Sequence, residues 1–136
     1  MAGELRPLSA RQQRQVERTV HEAEARTGLQ LCVYLGPAGE DSRAHAEQLF
    51  VEGGLHSRPA VLMLVAPQLR RVEIVTAPEA RARIPDEAAQ GAVDAMTARF
   101  AEGDLAGGLM AGVDLLADVA GPGEGGTEEL PDVIQS

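Results

Sequence analysis

The spacing of apolar residues predicts four helices and three strands. Apolar positions recur every three or four residues in four segments, as on the buried face of an amphipathic helix: about 10–27, 42–52, 86–100 and 104–119. Apolar and polar residues alternate in 29–35 and 71–76, which is typical of strands. Residues 60–66 (AVLMLVA) are apolar throughout, as expected of a central strand covered on both faces. The predicted order is α-β-α-β-β-α-α.

Capping residues set the ends of the predicted helices. Ser9 and Gln12 have the spacing of a capping box, and Gly28 is placed to end the first helix. Asp41 or Ser42 is the expected N-cap of the second helix, and Asp104 that of the fourth. Gly108 and Gly112 form a G-x-x-x-G pattern, which we interpret as close helix packing within the domain.

These elements define an α/β fold, a three-layer α/β/α sandwich with a small mixed sheet. Strands one and two are joined through a helix and are expected to be parallel, with a right-handed crossover. The short turn 67–70 predicts an antiparallel hairpin between strands two and three. Residues 8–120 form the predicted domain. We expect residues 1–7 to be flexible and 121–136 to be disordered, because the Gly-, Pro- and acid-rich tail offers little apolar surface to bury.

Composition narrows the function classes. The net charge of −9, with Arg at all twelve Lys and Arg positions, argues against nucleic acid as a partner, because phosphate contacts need a basic surface. A single cysteine excludes an intrachain disulfide. The N-terminus has no apolar signal segment, and no apolar run has the length of a membrane span. We therefore expect a cytoplasmic monomer without a membrane span, a metal or a cofactor.

Topology brings distant polar residues to one end of the predicted sheet. The third strand runs back, so its exit segment 77–85 lies near the loop before the second strand, with His56 and Ser57. The N-terminus of the next helix, with unpaired N–H groups, points into the same region and suits an anion. The candidate anion- or ligand-binding residues are Arg58, Glu79, Arg81, Arg83 and Asp86.

Other reactive residue types lack a recognisable site. The three histidines do not have the spacing of metal ligands. Cys32 lies in mid-strand and is interpreted as a small core residue. Ser57 follows His56 directly, and neighbours in sequence rarely point the right way for a catalytic pair. Glu40 and Asp41 are interpreted as a polar loop with a helix cap rather than as ligands of a cation.

Three stretches of the chain together resemble the TPM domain, and in particular its actinobacterial branch of unknown function. They are LSARQQRQVERTVHEAEARTGLQLCVYL, AEQLFVEGGLHSRPAVLMLVAPQLRRVEIVT and MTARFAEGDLAGGLMAGVDLL, within about 8–119. The resemblance implies the same α/β/α sandwich. Its members include acid phosphatases of the thylakoid, photosystem repair factors and receptor modulators.

The resemblance also implies a site at the sheet end described above, with Asp-Asn-Gly before strand two and Gly-aromatic-Gly after strand three. These motifs fall here on Arg58, Pro59 and Ala60, and on Ala77, Pro78 and Glu79, so both are lost. Arg in place of an acid reverses the charge that a cation needs, and Ala and Pro lack the conformational freedom of Gly. Asp86 matches the family's acidic position at the start of a helix, although a plain N-cap is the simpler interpretation.

Two functions follow from this comparison. One is a non-catalytic binding or interaction domain with a degenerate site, whose partner is an unknown protein or a small anionic ligand. The alternative is a hydrolase of phosphate monoesters, with or without a divalent metal, that has Asp86 and some of the other candidate residues in its site. On the first view residues 77–85 are a packing corner: Ile84 lies under the next helix, Arg81 and Arg83 face solvent, and Asp86 caps the helix.

Overall fold

A three-stranded mixed sheet lies between two layers of helices in a computed structural model that describes residues 7–36, 40–67 and 71–123. The elements are α1 (Ala10–Thr27), β1 (Gln30–Leu35), α2 (Ser42–Glu52), a 3-10 turn (Leu55–Ser57), β2 (Ala60–Ala66), β3 (Arg71–Thr76), α3 (Pro78–Arg83), α4 (Asp86–Ala101) and α5 (Leu105–Ala120). The predicted α/β class and the three layers are confirmed. The order differs by one short helix, α3.

The strands are ordered β1-β2-β3, with β2 in the centre. β1 pairs with β2 in parallel, with Gln30 opposite Ala60 and Leu35 opposite Val65. β2 and β3 are antiparallel, with Val61 opposite Thr76. Both predicted pairings are confirmed. The expected hairpin turn lies mostly outside the described residues, as do most of the segments 1–7 and 121–136 and the centre of the loop 36–41.

Each face of β2 lies against its own core. Every residue from Ala60 to Ala66 is buried. Val61, Met63 and Val65 face a large core with α1, α4 and α5, whereas the alternate residues face a smaller core with α2 and the 3-10 turn. Since successive side chains of a strand point to opposite faces, an uninterrupted apolar strand requires two cores.

Local capping sets the ends of α1 as the sequence predicts. The Ser9 hydroxyl accepts from the Gln12 N–H at 3.1 Å, and the Gln12 side chain accepts from the Ser9 N–H at 3.0 Å. Gly28 ends the helix with φ of 77°, a left-handed conformation that glycine adopts without strain. The chain then turns directly into β1. Within the described ranges, no helix is both long enough and apolar enough to cross a membrane.

Helices α4 and α5 pack closely through two glycines of α5. A Cβ atom added at Gly108 would overlap the ring of Phe100, and one added at Gly112 would lie 2.5 Å from the Met96 sulfur. Phe100 and Met96 are both fully buried. The interpretation of the G-x-x-x-G pattern as close packing is therefore confirmed.

We predict that Gly108→Ala lowers the free energy of unfolding by about 1–3 kcal/mol, because the added methyl group would overlap the ring of Phe100, which is itself buried in the core. Gly91→Ala is the matched control: Gly91 also lies within a helix, but a Cβ atom added there would meet nothing within 4 Å. The control should gain about 0.5–1 kcal/mol from higher helix propensity. Urea unfolding of both variants measures the difference, and equal effects would contradict close packing at Gly108.

Candidate functional site

Three chain segments meet at the end of the sheet where sequence reasoning placed the candidate site. The Gln30 N–H donates to the Pro59 carbonyl at 2.9 Å, and the Ala77 N–H donates to the Ala60 carbonyl at 3.0 Å. The entries to β1 and β2 and the exit from β3 are therefore adjacent. The predicted convergence of the loop before β2 with the segment after β3 is correct at the level of the backbone.

The residues before β2 lie on the β1 side of this end. Arg58 is exposed, and its guanidinium donates to the Gln30 side-chain oxygen at 3.3 Å. The Ser57 hydroxyl donates to the Gly54 carbonyl at 3.1 Å, within its own turn. His56 is exposed. Neither Ser57 nor His56 has a described contact with the other candidate residues.

The segment after β3 folds into the short helix α3, which sequence reasoning described only as a corner. Pro78 occupies the first turn, where its missing N–H costs no hydrogen bond. Ala77 and Ala80 are fully buried and Ile84 is 1% exposed, so this part of the corner is packed into the domain. Ile84 belongs to the large core, as predicted. Glu79 points away from that core and is exposed.

Arg83 does not face solvent, contrary to the prediction. Its guanidinium donates to the carbonyls of Thr27 at 2.8 Å, Ala120 at 3.1 and 3.2 Å, Gly121 at 2.7 Å and Pro122 at 3.3 Å. The first carbonyl lies at the C-terminus of α1 and the others at the C-terminus of α5. The last carbonyls of a helix lack partners within the helix and carry partial negative charge, so a cation is well placed there.

The residues that follow α5 are also held to the domain as far as they are described. The Gly123 N–H donates to the Arg26 carbonyl at 3.0 Å, beside the carbonyls that Arg83 binds. The disorder expected for the tail therefore does not begin at Gly121. The disorder predicted for the rest of the tail concerns residues 124–136, which lie outside the described residues.

We predict that Arg83→Ala lowers the free energy of unfolding by about 2–4 kcal/mol, because several carbonyls lose a charged donor at once. Arg81→Ala is the control and should be near neutral, since Arg81 is exposed and makes only long contacts with Thr76, at 3.4 and 3.5 Å. Thermal and urea unfolding measure both. A loss for Arg83→Ala no larger than for Arg81→Ala would show that the guanidinium contacts contribute little.

Arg81 and Asp86 line a polar groove of about 260 Å³ between the outer edge of β3 and α4. Arg43 of α2 lies at the same groove, although sequence reasoning did not select it. Its guanidinium donates to the Ile74 carbonyl at 2.8 Å and forms ion pairs with Glu47 at 3.1 Å and Glu73 at 3.7 Å. Arg43 was missed because its partner Ile74 is distant in the chain, and nothing in the local pattern marks the contact.

The charges of this groove are mixed. Arg43 and Arg81 supply two cations, and Glu73 and Asp86 supply two anions. Glu73 also accepts from the buried hydroxyl of Ser42 at 2.6 Å. A site for a phosphate monoester would instead concentrate donors and exclude carboxylates, because carboxylates repel the anion. The five predicted residues are thus divided among four places: Arg58 beside β1, Glu79 exposed on α3, Arg83 at the ends of α1 and α5, and Arg81 with Asp86 at the β3 groove.

Asp86 does not cap α4, contrary to the prediction. The N-cap position is Pro85, with φ of −68° and ψ of 161°, and no side chain accepts an N–H group there. Asp86 is already the first helical residue, so its carboxylate acts only through its charge at the positive end of the helix. Pro85 sets the required backbone conformation, and its carbonyl accepts from the N–H groups of Ala88 and Ala89.

We predict that Asp86→Ala lowers the free energy of unfolding by about 0.5 kcal/mol at low salt. The loss should be smaller at 1 M NaCl, because salt screens the interaction of an exposed charge with the helix dipole. Asp104→Ala is the matched comparison, since Asp104 caps α5 by accepting from the Gly107 N–H at 2.9 Å. Its loss should be about 1 kcal/mol and should persist in salt. Urea unfolding at two salt concentrations distinguishes these roles. A salt-independent loss for Asp86 would restore the capping interpretation.

The remaining reactive side chains do not assemble into a reaction centre in the described ranges. No group of three or more His, Cys, Asp or Glu side chains among these residues could hold a metal ion. Cys32 is half-buried, and its burial, together with the nearby Glu24 carboxylate, raises the pKa of the thiol. A raised pKa disfavours the thiolate, which is the nucleophilic form. His45 packs its ring edge-on against Tyr34, with ring centres 5.9 Å apart.

Comparison with known proteins establishes the family. The family model of the TPM domain matches residues 6–119, so the chain belongs to the TPM domain family. The uncharacterized proteins Rv2468c and MT2543, from two strains of Mycobacterium tuberculosis, are each 31% identical to the chain over 97 residues. The matched part is 70% of this chain and 56% of each relative, so the chain spans about half the length of these curated relatives.

Solved structures share the fold at low identity. The BA42 protein of the psychrophilic bacterium Bizionia argentinensis has a TM-score of 0.81 and 17% identity, over 93% of this chain and 92% of that chain. The N-terminal domain of a P. gingivalis protein has a TM-score of 0.73 and 20% identity, over 82% and 75% of the two chains. The N-terminal domain of cg2496 from Corynebacterium glutamicum has a TM-score of 0.66 and 16% identity, over 82% and 72%. These similarities concern the fold.

Proposed function

We propose that this TPM domain is a non-catalytic binding domain whose ancestral site has been converted into packing. The observation that carries the proposal is the position of α3. At the place where the family resemblance puts Gly-aromatic-Gly, Ala77 is fully buried, Pro78 starts a helix, and Arg83 at the end of this helix holds α1 and α5. A segment that supports the core in this way is poorly suited to approach a ligand with its backbone.

The distribution of charge supports the same conclusion. Arg58 stands where the family resemblance puts an acid, and it lies exposed beside Gln30. A cation site at this end of the sheet would have to overcome that positive charge. Arg83, which sequence reasoning offered as a phosphate donor, uses its guanidinium on backbone carbonyls instead.

A phosphate-monoester hydrolase remains the second candidate because Arg81 and Asp86 share one groove with Arg43. A guanidinium can bind phosphate through two parallel hydrogen bonds, and a carboxylate can act as an acid or a base. Two features oppose this candidate: Glu73 places negative charge in the same groove, and the hydroxyl of Ser42 is buried and donates to Glu73. Neither Ser42 nor Glu73 is then placed as a nucleophile towards an entering phosphate.

We predict no hydrolysis of 4-nitrophenyl phosphate above the buffer rate between pH 5 and 8, with EDTA or with millimolar Mg²⁺, Mn²⁺, Ca²⁺ or Zn²⁺. The same samples should show almost no change in melting temperature with Ca²⁺, because stabilisation by a ligand depends on its concentration relative to Kd. Asp86→Asn is the control protein. Activity that this substitution abolishes, or a saturable shift at submillimolar Ca²⁺, would contradict the proposal.

Titration with inorganic phosphate, followed through the backbone amides of 56–60 and 77–88, separates binding from catalysis. Under the proposal, these amides shift only weakly and without saturation. Saturable shifts that Arg81→Ala removes would instead identify the β3 groove as an anion site and favour the hydrolase.

A further inference from the structure

The outer edge of β1 carries backbone groups that no described strand pairs with. β1 is an edge strand, and its hydrogen bonds to β2 begin at the Gln30 N–H and end at the Gly36 N–H, which donates to the Val65 carbonyl. Backbone groups of a strand alternate between its two sides, so those of Leu31, Val33 and Leu35 point outward. This assignment agrees with Leu31, whose N–H donates to the Glu24 carboxylate at 2.9 Å.

An apolar groove of about 450 Å³ runs along this edge, between β1 and α1. Its apolar lining includes Leu8, Val16, Val20, Val33 and Leu35, and Glu17 lies at its margin. Leu35 is 38% exposed, which makes it one of four large apolar side chains found exposed among the described residues. The groove therefore places apolar surface beside outward-facing backbone groups, which is the combination that an added strand uses: backbone hydrogen bonds along the edge, and alternate side chains in a pocket.

Glu24 already occupies the first hydrogen-bonding position of this edge. Its carboxylate accepts the Leu31 N–H as the carbonyl of a neighbouring strand would. α1 and β1 run in opposite directions, since only Gly28 and Leu29 separate them. Seven helical residues rise about 10 Å, which three strand residues also span. Glu17, seven residues before Glu24, therefore lies level with Val33 and Leu35, and its carboxylate borders the part of the edge that Glu24 leaves open.

We propose that the β1 edge binds an extended polypeptide segment of another protein, one with apolar side chains at alternate positions and an Arg or Lys that pairs with Glu17. This deepens the proposed binding function by stating what is bound. The occupant is inferred from charge. The chain has a net charge of −9, and residues 100–136 contain no Arg or Lys. The acidic tail and a second copy of the chain therefore fit the Glu17 end of the groove less well than a cationic segment does.

Selection from a displayed library of random twelve-residue peptides tests this proposal on the full chain. Selected peptides should alternate apolar residues and carry at least one Arg or Lys. In a titration with a synthetic copy of a selected peptide, the NMR signals of the backbone amides of Val33, Leu35 and the α1 residues of the groove should shift and reach saturation. The same peptide N-methylated at alternate backbone nitrogens should bind at least tenfold more weakly, because it loses the N–H groups that pair with the edge.

Two variants locate the binding. Glu17→Gln should lower the affinity for the cationic peptide at least threefold at low salt. Glu22→Gln makes the same charge change on an exposed residue outside the groove and should leave the affinity unchanged. Leu35→Pro should abolish binding and keep the circular dichroism of the folded protein, since proline is tolerated on an edge strand where the N–H faces outward.

Several results would overturn the proposal. The selection could yield no binding peptide, or the N-methylated peptide could bind as tightly as the unmodified one. The amide shifts could also be confined to residues of the β3 groove. Binding that appears only when residues 1–6 or 124–136 are deleted would assign the edge to the chain's own termini. A dimer in sedimentation that Leu35→Pro dissociates would assign it to a second copy. The test is separate from the phosphatase assay, so an inactive protein without a peptide ligand would contradict this inference alone.

Discussion

The burial of β2 on both faces is the constraint on which the rest of the structure depends. Leu64 and Val65, adjacent in the strand, are both fully buried, and each faces a different core. A single strand can be covered in this way only if helices are supplied to both sides and a further strand to each edge. The crossover through α2 provides the smaller layer, and α1, α4 and α5 provide the larger one. Within the larger layer, α4 and α5 pack closely at Gly108, where a Cβ atom would overlap the Phe100 ring.

Two of the three strands, β1 and β3, are edge strands, and their outer edges differ in what lies against them. On β3, the guanidinium groups of Arg43 and Arg81 lie against the carbonyls of Ile74 and Thr76. Charged side chains on an edge discourage pairing with other strands. On β1, the described residues provide one comparable contact, from Glu24 to Leu31, and apolar surface continues beyond it. The asymmetry gives the domain one protected edge and one edge suited to an extended partner.

The fold could be predicted from the sequence because its signals are local. The alternation of Val72 and Ile74 with polar neighbours, the uniform apolarity of 60–66 and the Ser9–Gln12 pair each act within a few residues. α3 could not be found by periodicity, since six residues are too few to show a period of 3.6, although Pro78 at its start was an available signal. The role of Arg83 was beyond local reasoning. Its partners Thr27 and Ala120 lie 56 and 37 residues away, and backbone carbonyls leave no mark in a sequence.

Under the proposed function, the position of Arg83 also explains how the site implied by the family resemblance can be lost while the fold is retained. The end of the sheet next to α3 brings together the starts of β1 and β2 and the exit of β3, so a residue there can contribute to a ligand site or to the packing of the junction. In this chain the junction has taken those positions: Ala77 and Ala80 are buried, and Arg83 joins the C-termini of two helices that contact each other along the large core. Restoring glycines at 77 and 79 would then not be enough to restore a ligand site. Unfolding α3 to expose its backbone would also remove Arg83 from the carbonyls of α1 and α5. Under the proposed function, stability and the loss of the site are coupled through this one side chain. A binding function elsewhere on the domain, such as along β1, is not subject to that coupling.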